Sequence, residues 1–171
     1  MGWRNRYFLC CFMLILATQG CLRYSFTGAS IPNDVNTIFI TFFPDRSNSG
    51  IADLSDRLNV ALIEQFVNQS RLVLASNETD ADAVLDGTIS SYTNLPFSIG
   101  GNEQASQNEI KISVRATFRY TKDPAPLWNK TFSGNFLFDP IEDPLNGEQT
   151  AADGALEQVA NNMFNDAVSN W

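Results

Sequence analysis

Alternation of oily and polar positions is clearest in "EIKISVRATFRYT", residues 109 to 121. Ile110, Ile112, Val114, Ala116, Phe118 and Tyr120 alternate with Lys111, Ser113, Arg115, Thr117 and Arg119. A period of two puts the first set on one side of a strand and the second on the other, as in an antiparallel sheet covered on one side only. "PLWNKTFSGNFLF", 126 to 138, repeats the pattern with Trp128, Phe132 and Phe136. "VNTIFITFF", 35 to 43, is rich in β-branched and aromatic residues and predicts a buried strand that Pro44 stops. "AVLDGTISSYT", 83 to 93, predicts another, with a bulge at Gly87, and residues 72 to 75 add a short one.

Between them the period changes. Leu54, Leu58, Ala61, Leu62, Gln65 and Phe66 recur at three and four, which predicts a helix over 53 to 69. Ala152, Ala155, Leu156, Val159, Met163, Phe164 and Ala167 form the stripe of a closing helix. The order of elements predicts an α+β domain, two helices packed on one face of a mostly antiparallel sheet of about four strands.

The start of the chain follows a different plan. Arg4 and Arg6 precede an apolar run from Tyr7 to Ala17. Those eleven residues fall short of the roughly 20 that a bilayer-spanning helix needs. A basic start, a short oily core and a small-residue exit make residues 1 to 20 a secretory leader. "TQGC" then resembles a bacterial lipobox, in which the cysteine is lipidated and becomes the new first residue, although Thr18 stands where that motif usually has Leu. Cys10 and Cys11 leave with the leader, so Cys21 would remain as a single thiol with no disulfide partner. An ordinary secreted protein with one stray thiol is the plainer alternative. On the lipid reading, residues 21–34 are a tether and 35–171 one domain.

Processing would leave 151 residues, enough for a core without staples. Nine basic residues would then face nineteen acidic ones, a balance of −10 that repels nucleic acid and anionic headgroups. The chain has no histidine, which removes the usual general base and most zinc sites. "DADAVLDG" glances at a calcium loop, but Val84 occupies a ligand position and no Glu closes it. These features argue against an enzyme, a metal site or a cofactor beyond a covalent lipid on Cys21.

"CLRYSFTGASIP", "FFPDRS", "GGNEQASQNEIKISV" and "FNDAVSNW", in that order behind one cysteine, resemble the lipopolysaccharide-assembly lipoproteins of the LptE type. The resemblance implies an outer-membrane lipoprotein on the periplasmic side, with no catalysis. Its partner would be a lipopolysaccharide-translocating β-barrel of the LptD type, which it plugs and helps assemble, and it would touch lipopolysaccharide itself. A lipoprotein that binds a soluble periplasmic ligand or regulates an envelope enzyme is the alternative.

Two features bear on those contacts. Lys111, Arg115 and Arg119 share the polar face of one strand, about 13 Å apart at ~3.3 Å per residue. They suit lipopolysaccharide phosphates, or they pair across the sheet with neighbours such as Asp86, or meet the barrel wall. "NLPFSIGGNEQASQN", 94 to 108, reads as a long loop whose Pro96, Phe97, Ile99 and Asn102 reach a partner or fold back on the domain.

Overall fold

The computed structural model describes residues 31–97 and 107–169. The expected order of elements holds. Strand β1 (Thr37–Ile40) leads to helix α1 (Leu54–Ile63), which ends in a π turn, Glu64–Asn68. Strand β2 (Val73–Leu74) and a 3₁₀ turn (Glu78–Asp80) precede three long strands, β3 (Ala83–Phe97), β4 (Gln107–Tyr120) and β5 (Trp128–Phe138). Helix α2 (Gly147–Ser169) closes the chain.

The sheet departs from expectation in strand count and direction. It has five strands in the order β2-β1-β3-β4-β5. β1 is parallel to both β2 and β3, whereas β3, β4 and β5 form an antiparallel meander. The sheet is therefore mixed rather than mostly antiparallel. The cause is that α1 is a crossover: a strand that returns to the same sheet through a helix comes back parallel. Two-residue β2 carries too little pattern to reveal that direction.

Both helices cover one face. Leu54, Leu58, Leu62 and Phe66 from α1 meet Ala152, Ala155, Leu156, Val159 and Met163 from α2, over Ile38, Leu85, Ile112 and Val114 of the sheet, all at most 1% exposed. The π turn places Phe66 in this core, with its ring centroid 6.1 Å from Phe118 and 5.3 Å from Phe164. Small residues bring α2 onto β5. A Cβ on Gly134 would lie 2.0 Å from the Ala155 carbonyl oxygen, so only glycine permits that approach. The free edge of β5 is partly covered as well: the Asn135 N–H donates to Gln158 Oε1 at 2.7 Å, which hinders pairing with a stray strand.

The bulge falls elsewhere than expected. The register shifts between Ile89 and Ser91, not at Gly87. Gly87 instead makes room for Phe43, since a Cβ there would sit 2.4 Å from the Phe43 ring and 2.4 Å from the Arg115 carbonyl oxygen. β3 also runs to Phe97, so Pro96 and Phe97 belong to a strand paired with Asn108 and Gln107 and not to a loop. Proline is tolerated there because, among the described residues, no strand flanks the other side of that end of β3. Ile99 and Asn102 lie outside the described residues, as do residues 1 to 20 and Cys21. Residues 31 and 32 are held against the domain by Arg71, whose Nη2 donates to the carbonyls of Ile31 and Pro32.

Candidate functional site

With both helices on one side, the other face of β3, β4 and β5 has no helix over it. Pleating dictates what it shows, because every second residue of β4 points away from the core. Lys111 and Arg115 are exposed there and Arg119 is half-buried, so the three predicted cations do share one face.

Cross-strand register gives each a different setting. Lys111 stands between Thr93 on β3 and Asn135 on β5. Arg115 stands between Thr88 and Thr131. Neither forms an ion pair with another described residue. Hydroxyls and amides fill the surroundings: Ser113 and Ser133 hydroxyls lie 2.9 Å apart, and Asn135 Nδ2 donates to Glu109 Oε1 at 2.8 Å.

Arg119 differs. Its Nη2 pairs with Glu78 Oε1, from the 3₁₀ turn beyond the sheet edge. Asp86, across the strand pair, is a weaker neighbour. Burial pushes its carboxyl above the usual range, Arg119 pulls it down and Glu78 raises it further. The direct partner of Arg119 is therefore Glu78 of the turn, and Asp86 across the strands acts on it only through charge. Nothing in the local pattern of residue 78 announces that contact, because the chain reaches it only through the fold.

Apolar side chains close one end of the face. Leu95 and Leu137 flank Glu109 in a single cross-strand row, 61% and 37% exposed. The unbroken "FLF" at 136 to 138 was the available sign, since it breaks the alternation of β5. The face therefore offers two cations outside any ion pair among the described residues, a carboxylate, Glu109, a carpet of hydroxyl and amide groups and an oily border. Among the described residues no group of three His, Cys, Asp or Glu side chains could hold a metal ion. Such a surface can bind a phosphate-bearing sugar or a polar protein wall, because Arg and Lys donate to phosphate while hydroxyls and amides exchange hydrogen bonds with sugar.

Comparison with known proteins bears on this reading. A family model described as lipopolysaccharide-assembly, LptE, matches residues 35–169. No curated protein sequence matches well enough to count as a relative. Among solved structures, a Xanthomonas campestris protein assigned to the DUF330 family superposes with a TM-score of 0.56 at 11% identity, covering 80% of this chain and 85% of its own. A hypothetical protein from Chlamydia trachomatis gives 0.51 at 9% identity, covering 78% and 93%. A lipoprotein from Caulobacter crescentus gives 0.50 at 13%, covering 76% and 86%. Identities that low speak for a shared fold alone.

Proposed function

The chain belongs to the LptE lipopolysaccharide-assembly family, and from that premise we propose that it is an outer-membrane lipoprotein that plugs a lipopolysaccharide-translocating β-barrel of the LptD type. A lipid on Cys21 fixes it to the periplasmic side. Its helix-free sheet face meets lipopolysaccharide on the way to the outer leaflet. The role is one of assembly and guidance, without catalysis.

The observation that carries the contact is the pair Lys111 and Arg115. On a chain of net charge −8, two exposed cations with no acidic partner among the described residues mark a place where anionic phosphate gains more than it loses. Arg119 is already engaged by Glu78 and contributes less.

The test is binding of purified lipopolysaccharide to wild type, Lys111→Gln/Arg115→Gln and Arg119→Gln. At roughly 0.7 kcal/mol per exposed charged contact, the double variant should weaken binding about tenfold, and Arg119→Gln far less. Equal affinity of all three proteins would remove the face from the contact. Purification from native membranes in mild detergent tests the plug, which fails without a barrel-sized companion.

A further inference from the structure

The helix layer, on the far side of the molecule from Lys111, carries a second concave surface. A groove of about 670 Å³ runs between α1 and α2. Ala61 and Leu156 line it, and Val60 stands in it 67% exposed. Its other walls are mostly acidic, with Asp53, Asp56, Glu64, Asp153 and Glu157 against one cation, Arg57, and two amides, Gln65 and Gln69.

That arginine is already committed. Its Nη1 donates to both carboxylate oxygens of Asp153, at 2.9 and 3.0 Å. Its Nε lies 3.0 Å from Asp53 Oδ2, close enough for an ion pair although poorly aligned for a hydrogen bond. Arg57 thus clasps α1 to α2 and takes up two of the five carboxylates. Asp56, Glu64 and Glu157 are left exposed without a cation among the described residues. Asp56, Val60 and Glu64 are spaced by four, so they form one stripe along α1 and the start of its π turn with about 6 Å between successive residues. Glu157 answers them from α2.

The chemistry selects the occupant. A single metal ion does not fit, because no three carboxylates converge among the described residues. Nucleic acid and anionic lipid are repelled. What complements an acidic stripe interrupted by an exposed valine is an extended segment carrying several cations and an apolar residue between them. From Asp53 to Gln69 the wall made by α1 and its π turn is about 24 Å long at ~1.5 Å per residue, room for a few turns of helix or a short strand.

We propose that the groove between α1 and α2 is a docking surface for a Lys- and Arg-bearing amphipathic segment of a partner protein. This stands apart from the lipopolysaccharide reading, since its residues lie on the opposite layer. The test places p-benzoylphenylalanine at Val60 of the full chain in its native envelope, irradiates, and maps the linked peptide by mass spectrometry. The linked peptide should hold two or more Lys or Arg residues around an apolar one. Its yield should fall about tenfold when Asp56→Lys and Glu157→Lys are combined, a loss equivalent to one decade of affinity. Both positions are exposed, and a melting curve checks that the variant folds; should it not, Asp56→Asn with Glu157→Gln replaces it and about a threefold fall is expected. Four results would overturn the proposal: no adduct, a linked peptide without cations, one from a second copy or from residues 21 to 30 of this chain, or a yield indifferent to charge.

Discussion

Replacing Gly134 by alanine tests how closely α2 lies on the sheet. In an ordinary strand interior the exchange should stabilise by roughly 0.5–1 kcal/mol, because glycine loses more freedom on folding. Here the added methyl would lie 2.0 Å from the Ala155 carbonyl oxygen, 3.0 Å from its carbonyl carbon and 3.1 Å from Val159 Cγ2. Carbon and oxygen rest at roughly 3.3–3.6 Å even in close contacts, so more than 1 Å must be found. The obstructing atoms belong to the backbone of a mid-helix residue and cannot rotate away. The helix must lift as a body, and a gap of 0.5–1 Å forfeits about a quarter to a half of each dispersion contact along its buried stripe. Overpacking of this kind costs about 3 kcal/mol, lowering the melting midpoint by about 6–12 °C in a domain of this size. Gly154→Ala is the control. Its Cβ would come 2.5 Å from the Phe136 ring, but that ring is 47% exposed and can swing outward, so a change below about 1 kcal/mol is expected. Urea unfolding followed by circular dichroism reads both. A Gly134→Ala midpoint equal to wild type, or above it, would refute the close approach.

Asp82 pins the start of β1, its Oδ2 accepting from the backbone N–H groups of Asn36 and Thr37 and from the Thr37 hydroxyl at 2.9–3.1 Å. The Asn36 N–H is the largest influence holding its pKa below the usual carboxylate value. The stabilisation is therefore complete above the unfolded pKa of about 3.9 and disappears as pH falls through the lower folded value. Asp82→Asn should unfold at lower urea than wild type at pH 7, with the gap closing below about pH 4; a gap independent of pH counts against it. Arg57→Gln leaves Asp53 and Asp153 facing each other across the helices. The half-exposed pair makes the loss only about 1 kcal/mol, and urea midpoints at low and high salt should converge, because screening removes the contribution.

The long amphipathic elements were legible in the chain because burial there follows one period for many residues. Ile110 to Tyr120 alternate without a break, and Leu54, Leu58, Leu62 and Phe66 keep helical spacing to the π turn. The parallel pairing of β1 was not legible. Direction is set by how α1 crosses over the sheet, and a two-residue β2 holds no trace of it. Gly87 misled for a related reason, since the demand for a missing Cβ comes from Phe43, forty-four positions earlier. The three cations were found by spacing alone, but which of them is free depends on Glu78, brought to Arg119 by a turn outside the strand. The acidic groove escaped notice because its residues alternate with core positions on two helices, and each carboxylate alone resembles any solvated surface charge.

Polarity of the helix-free sheet face is weak support for a ligand by itself. A sheet that puts one side against helices must show water the other, and serine, threonine and asparagine satisfy that demand in any protein. Solvation explains the hydroxyl carpet, Asn135 with Glu109, and the pairing of Arg119. It does not explain leaving Lys111 and Arg115 outside any ion pair among the described residues, with Thr93, Asn135, Thr88 and Thr131 directly across from them, on a chain with nineteen acidic residues, when Glu or Asp in those places would contribute up to ~1 kcal/mol. Five acidic side chains instead line the α1–α2 groove on the opposite layer. Glu109 and Asp86 share the sheet face with the cations, and Arg57 and Lys130 lie with the acids of the helix layer, so the contrast is local: among the described residues, Lys111 and Arg115 outside any ion pair on the bare sheet, Asp56, Glu64 and Glu157 without a cation in the groove. That contrast suits the two proposals together, with anionic lipopolysaccharide meeting the unpaired cations of the sheet and a basic protein segment meeting the unpaired carboxylates of the groove.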